Sequence, residues 1–146
     1  MTKMKLTRNF SLEEMLRSDT AKRCGITNKP KAEEETEVVE NLKALCVEVL
    51  QPLRDFLGKP VVVSSGYRCS ELNEKVGGVS NSQHLTGEAA DIRVKDRHEL
   101  IEIMRFIMDD TVFDQLIREK SATGEWVHVS YKRNGNNRQQ VFKLTR

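Results

Sequence analysis

Little in this chain of 146 residues is one-sided. Its 24 basic and 22 acidic residues leave a net charge of only +2. Nucleic-acid binders carry a basic excess, so no nucleic-acid partner is expected. No run approaches the roughly 18 apolar residues that span a bilayer, so no membrane span is expected either. The opening MTKMKLTRNFSLEEM is basic but lacks the apolar stretch of a signal peptide. The expectation is a protein that stays cytoplasmic as synthesised. Cysteine is scarce: Cys24, Cys46 and Cys69 form no C-x-x-C pair. That excludes a disulfide framework and a structural zinc knuckle, and suits a reducing compartment. Repeats, linkers and low-complexity tracts are lacking, and the length suits one domain over residues 1–146. What remains is 38% hydrophobic and 32% charged residues, the balance of a soluble globular domain, expected to be a monomer.

Helix signals dominate the first half. Ser11 and Glu14 form a capping box, with Phe10 and Met15 placed as a hydrophobic staple, so a short helix should end near residues 18–20 and give way to a loop over 22–30. A longer helix is expected from Glu33 to Leu57, because Val38, Leu42, Leu45, Cys46, Val49, Leu50 and Leu53 follow the 3.6-residue period. Pro52 should kink it and Gly58 should end it. Pro60–Ser65 reads as a strand, Glu71–Val76 as a short helix, Ser80–Gly87 as a loop and Ala89–Val94 as a strand. Asp96 and Glu99 cap a helix running from Arg97 to Met108. Phe113–Arg118, Trp126–Tyr131 and Gln140–Leu144 are further strands. Helices before strands argue for an α+β domain, with helices packed on a small antiparallel sheet.

Only three histidines occur, and two stand in company that suits a metal. His84 lies in Ser82-Gln-His-Leu-Thr-Gly-Glu-Ala-Ala-Asp91, and His128 in Gly124-Glu-Trp-Val-His128. Two imidazoles and a carboxylate are suitable ligands for one catalytic Zn2+, leaving a fourth tetrahedral position for water. Gly87 permits a tight turn after His84, and the small Ala89 and Ala90 let the strand carrying Asp91 pack closely. Along the strand from Trp126, positions 126, 128 and 130 share a face, so His128 can reach a metal brought by the other strand. By the same alternation Glu125 faces away, unless Gly124 places it in the turn before the strand. His98, in a helix first turn, has no such neighbours and reads as solvent-facing.

With Ser65-Gly-Tyr-Arg68 added, these segments resemble the M15 family of zinc D-alanyl-D-alanine peptidases. The match is nearest its M15A branch of bacterial and phage cell-wall enzymes. Vancomycin-resistance dipeptidases and the zinc-binding signalling domain of hedgehog proteins share the motif more distantly. The resemblance implies a hedgehog/DD-peptidase-like fold, with His84, Asp91 and His128 as zinc ligands. It implies Glu125 as the catalytic base and Arg68 as the group that polarises the scissile carbonyl and receives oxyanion charge. Ser82 falls where the family has a serine near the substrate. Amide hydrolysis needs a nucleophile, a proton shuttle and an oxyanion receptor, and this set supplies them.

The function so implied is hydrolysis of an amide bond in a peptidoglycan stem peptide, as a D-Ala-D-Ala-type carboxypeptidase or endopeptidase. A phage or prophage endolysin released without a signal peptide fits this, as does a dipeptidase recycling D-alanyl-D-alanine. The alternative is a non-catalytic zinc-binding interaction module of the same fold, which would have no need of Glu125 or Arg68.

Overall fold

The computed structural model describes residues 4–146. The chain opens with a short antiparallel pair, β1 (Lys5–Thr7) and β2 (Phe10–Ser11), which the sequence did not foretell. Ser11 then caps α1 (Leu12–Leu16), its hydroxyl accepting from the Glu14 amide at 3.2 Å. The staple partners Phe10 and Met15 are both buried. Where a loop was expected, Ser18 caps a second short helix, α2 (Asp19–Cys24), closed by Gly25.

The long apolar stripe folds as one helical run in three parts. These are α3 (Glu35–Leu45), a wider π-helical turn over Cys46–Leu50, and α4 (Gln51–Leu57). The cause is Pro52, which has no amide hydrogen and whose ring would strike the carbonyl four residues back. The helix responds by widening just before it: the Gln51 amide donates to the Cys46 carbonyl, one residue beyond the α-helical partner. The expected break is therefore a bulge, and the stripe Leu42, Leu45, Cys46, Val49, Leu50 and Leu53 stays fully buried across it.

Then come β3 (Val63–Ser65), α5 (Ser70–Lys75), a 3-10 turn at Gln83–Thr86, β4 (Ala89–Arg93) and α6 (Arg97–Asp110). Three strands follow: β5 (Gln115–Ser121), β6 (Gly124–Ser130) and β7 (Gln140–Thr145). The domain is α+β, as expected, with strand order β3-β4-β6-β5-β7. The sheet is mixed rather than antiparallel, because β7 runs parallel to β5 while every other pair is antiparallel. The segment 131–139 leaves β6 and crosses the end of β5, delivering β7 in the direction of β5. Periodicity within a strand carries no information about that crossing.

Alternation divides the sheet into two faces. Ala90, Ile92, Leu116, Val127 and Val129 point to the core and meet the buried Leu100, Ile103 and Ile107 of α6. On the opposite face the register lines up two rows. One row runs Asp91, His128, Ile117, Phe142, and the next Arg93, Trp126, Glu119, Leu144. No helix among the described residues is long and apolar enough to cross a membrane.

Candidate metal centre

Asp91 on β4 and His128 on β6 are direct cross-strand partners, which brings His128 Nδ1 to 2.9 Å from Asp91 Oδ1. The 3-10 turn supplies His84. Ser82 caps that turn by accepting from the His84 amide at 3.2 Å, and Gly87 closes it at φ +79°. Only glycine fits there. A Cβ would be strained at that φ and would lie 2.8 Å from the Val38 carbonyl of α3. The ligand-capable atoms of His84, Asp91 and His128 all lie within 4.8 Å of one another, and all three residues are buried. The two imidazole centroids are 5.2 Å apart, inclined at 69°.

One contact tests whether this set suits a metal. His84 Nδ1 lies 2.6 Å from the Gly66 carbonyl, which can only accept, so Nδ1 carries the hydrogen. In the neutral ring Nε2 is then a bare lone pair. It is buried, has no hydrogen-bond partner, and faces Asp91 Oδ1 at 3.3 Å. A lone pair aimed at a carboxylate oxygen calls for a proton or a metal cation between them, and His128 Nδ1 meets the same oxygen at 2.9 Å. Two nitrogens and one oxygen converging in this way fit a single divalent ion such as zinc. Burial by itself would raise the Asp91 carboxyl's pKa, but the flanking His84 and His128 outweigh it and hold the group well below the usual carboxylate range.

Gly66 sits where no side chain can go, since a Cβ would run into the Met15 carbonyl. The next two amides fix the same segment. Tyr67 donates to the Met15 carbonyl and Arg68 to the His84 carbonyl, both at 2.9 Å. The imidazole is thus aimed by a backbone pinned against α1.

Arg68 is mostly buried, which lowers its pKa, and its guanidinium is fully engaged. Nε donates to Ser65 Oγ at 3.2 Å, Nη1 to Asn73 Oδ1 at 3.1 Å and Nη2 to Asp91 Oδ2 at 3.4 Å. It therefore grips the outer oxygen of the carboxylate whose inner oxygen faces the two imidazoles. It also lines the cleft that holds His84 and His128, a space of about 500 Å³. Ser82 lines this cleft too, and its hydroxyl is engaged as the cap of the His84 turn.

Glu125 is not brought to this group. It lies within β6 rather than in the turn before it, so alternation sends it to the face opposite His128. There it accepts from Arg118 Nε at 3.0 Å and from Arg97 Nη2 at 3.2 Å, and those contacts, Arg118's first, hold its carboxyl below the ordinary range. The cavity it lines, about 750 Å³ at the β5–β6 hairpin end, contains none of the three metal-binding candidates.

The acidic side chain that does reach the group is Glu119 on β5, which the sequence reading passed over. It is buried, with Oε2 at 3.6 Å from His128 Nδ1. The usable signal is alternation through Gln115, Ile117 and Glu119: β5 continues to Ser121, past the Arg118 at which the expected strand stops. A further buried acid, Asp114, braces the cleft. It accepts from Gln83 Nε2 at 2.9 Å, beside His84, and from Arg138 Nε and Nη2 at 2.9 and 2.7 Å. Arg138 above all drives its carboxyl down to about 2.

Two comparisons bear on this arrangement. A family model described as Peptidase M15 matches residues 8–130. The "Zinc D-Ala-D-Ala carboxypeptidase" of Streptomyces albus G is 48% identical over 44 residues, which is 30% of this chain and 17% of that protein. The chain thus matches less than a fifth of that relative's length.

Proposed function

Because the chain belongs to the peptidase M15 family, we propose that it is a zinc-dependent peptidase that hydrolyses an amide bond in a peptidoglycan stem peptide. His84, Asp91 and His128 hold the metal. The observation that carries this reading is the buried, partnerless Nε2 of His84 aimed at Asp91 Oδ1. A bound zinc supplies Lewis acidity, which makes a water a better nucleophile near neutral pH and an amide carbonyl a better electrophile.

The chain's own residues do the rest. Glu119, on the cleft side of His128, accepts a proton from the attacking water and returns it to the amine nitrogen as the C–N bond breaks. Arg68 holds Asp91 by its outer oxygen, which keeps the inner oxygen turned to the two imidazoles that would hold a metal with it. The same guanidinium lends positive charge to the cleft wall where oxyanion charge develops. Gln83 and Ser82 hold the His84 turn in place from either side. The named activity of the Streptomyces relative supports D-Ala-D-Ala-type carboxypeptidase action, and a bacterial or phage wall-lytic role is consistent with it.

Metal analysis together with muropeptide digestion tests the proposal. Purified protein should bind one zinc per chain and cleave stem peptides, as followed by mass spectrometry. His84→Ala should lose both properties. Stoichiometric zinc retained in a His84→Ala, His128→Ala double variant would refute the metal assignment.

A further inference from the structure

The cleft beside the metal group is rich in cations, and two of them are already committed. Arg68 is held by Asp91, Asn73 and Ser65, and Arg138 by Asp114. That leaves Lys132 and Arg146. Arg146 follows β7, its amide donating to the Lys120 carbonyl at 2.8 Å, and it extends the face that carries Phe142 and Leu144. Its Nε donates to Glu119 Oε1 at 3.0 Å. Its two terminal nitrogens have no acceptor among the described residues, and its side chain, which lines the cleft, is 46% exposed. A guanidinium held by Nε alone presents a free, planar pair of donors, the shape that grips a carboxylate through both oxygens.

Position narrows the ligand further. Oε1 of Glu119 receives Arg146, while Oε2 of the same carboxylate stands 3.6 Å from His128. A single carboxylate therefore bridges the arginine and the metal group, one oxygen turned to each. Consecutive Cα atoms lie about 3.8 Å apart, so one substrate residue with a contact at each end can span that bridge. β7 and Arg146 also lie beyond residues 8–130, the span matched by the family model.

We propose that Arg146 is a specificity-determining residue, which receives the free C-terminal carboxylate of the residue released by hydrolysis. The proposal rests on the peptidase reading above and deepens it: the preferred substrate ends one residue past the cleaved bond. A chain that continues further would bring an uncharged amide to the arginine and lose the paired contact.

The test compares two peptides that share a scissile D-Ala-D-Ala bond and differ only in a C-terminal carboxylate or carboxamide. Zinc-loaded wild type should favour the carboxylate by about tenfold or more in kcat/KM, the scale of a charge-assisted pair. Arg146→Gln should bring that ratio close to one, and Arg146→Lys should leave an intermediate ratio. Any effect of the variants on Glu119 acts on both substrates and cancels in the ratio. Lys132→Gln should keep the wild-type preference. The proposal is overturned if Arg146→Gln retains the preference, if wild type shows none, or if Lys132→Gln alone abolishes it. If wild type cleaves neither peptide, the peptidase reading fails separately, and calorimetric binding of the D-Ala-D-Ala dipeptide to the zinc-loaded protein decides. Arg146→Gln should then bind about tenfold more weakly, and equal affinity rejects the assignment.

Discussion

Glu119 and His128 share one face of the β5–β6 ladder, Oε2 to Nδ1 at 3.6 Å, while Glu125, three residues before His128, faces the other way. Period-two alternation makes this unavoidable once Gly124–Ser130 is a strand. Substitution separates the two glutamates. Glu119→Gln should keep its zinc and fold yet lose on the order of 10²–10⁴-fold in kcat, the range of a general acid–base group. Glu125→Gln removes contacts with Arg97 and Arg118 and should leave turnover near wild type. Activity and metal content measured on both variants decide the matter. A Glu119→Gln protein with full turnover would remove that residue from the chemistry.

Arg68 acts on the metal group through Asp91 as well as facing the cleft. Arg68→Ala should therefore weaken zinc binding by about 10–100-fold, as loss of a carboxylate's outer partner does. It should also cost on the order of 3 kcal/mol in kcat/KM at saturating zinc. Lysine should restore little, because one ammonium cannot serve Ser65, Asn73 and Asp91 together. Competition against a chromogenic chelator reads the first effect and steady-state kinetics the second. Undiminished zinc affinity in Arg68→Ala would break the link to Asp91.

Gly66 couples packing to the site. A methyl group there collides with the Met15 carbonyl, and the carbonyl of Gly66 itself fixes His84 Nδ1. Gly66→Ala should cost about 1–3 kcal/mol of stability, as overpacking does. It should also weaken zinc binding, since the backbone shift turns the imidazole. Thermal melts with and without zinc would show both, and an alanine variant with wild-type melting and affinity would contradict the close approach.

Asp114 gives the fold a dependence on acid. Its carboxyl stands at about 2 when folded against an ordinary 3.8, so the stabilisation is fully present above about pH 4 and is lost as pH falls towards 2. Its size is at most on the order of 2 kcal/mol, reduced by salt because Arg138 is half exposed. Denaturant melts of wild type should weaken between pH 4 and 2, whereas Asp114→Asn should be less stable at pH 5 and flatter across that range. Parallel curves for the two proteins would mean that the Arg138 contact contributes nothing.

The three metal-binding candidates were legible because each announces itself locally, through a histidine in a polar loop closed by Gly87, an aspartate after two alanines on a strand, and a histidine whose strand position lets it face that strand. Leu42, Leu45 and Leu53 were legible as core for the same reason, since helix period shows within a few turns. The proposed proton carrier was not. It depends on where β5 and β6 begin and end, and a few residues of error at each boundary exchange Glu119 for Glu125. Nor was the direction of β7, which follows from how 131–139 passes the end of β5. The π-helical turn at Cys46–Leu50 was foreshadowed by Pro52, but the spacing of apolar residues does not say whether a proline kinks a helix or widens it.

The placing of β7 has a bearing on solubility. It is the outermost strand, exposed along its length, with Val141, Phe142 and Leu144 each 40–42% open and one rank of backbone donors and acceptors unpaired. A free apolar edge of this kind invites another chain to dock as the next strand. Lys143 and Arg146 are the charges carried on and beside it, the kind of residue that discourages such pairing. Selection for a different substrate end at position 146 would therefore press against colloidal stability, and neutral replacements there call for a compensating charge at Val141.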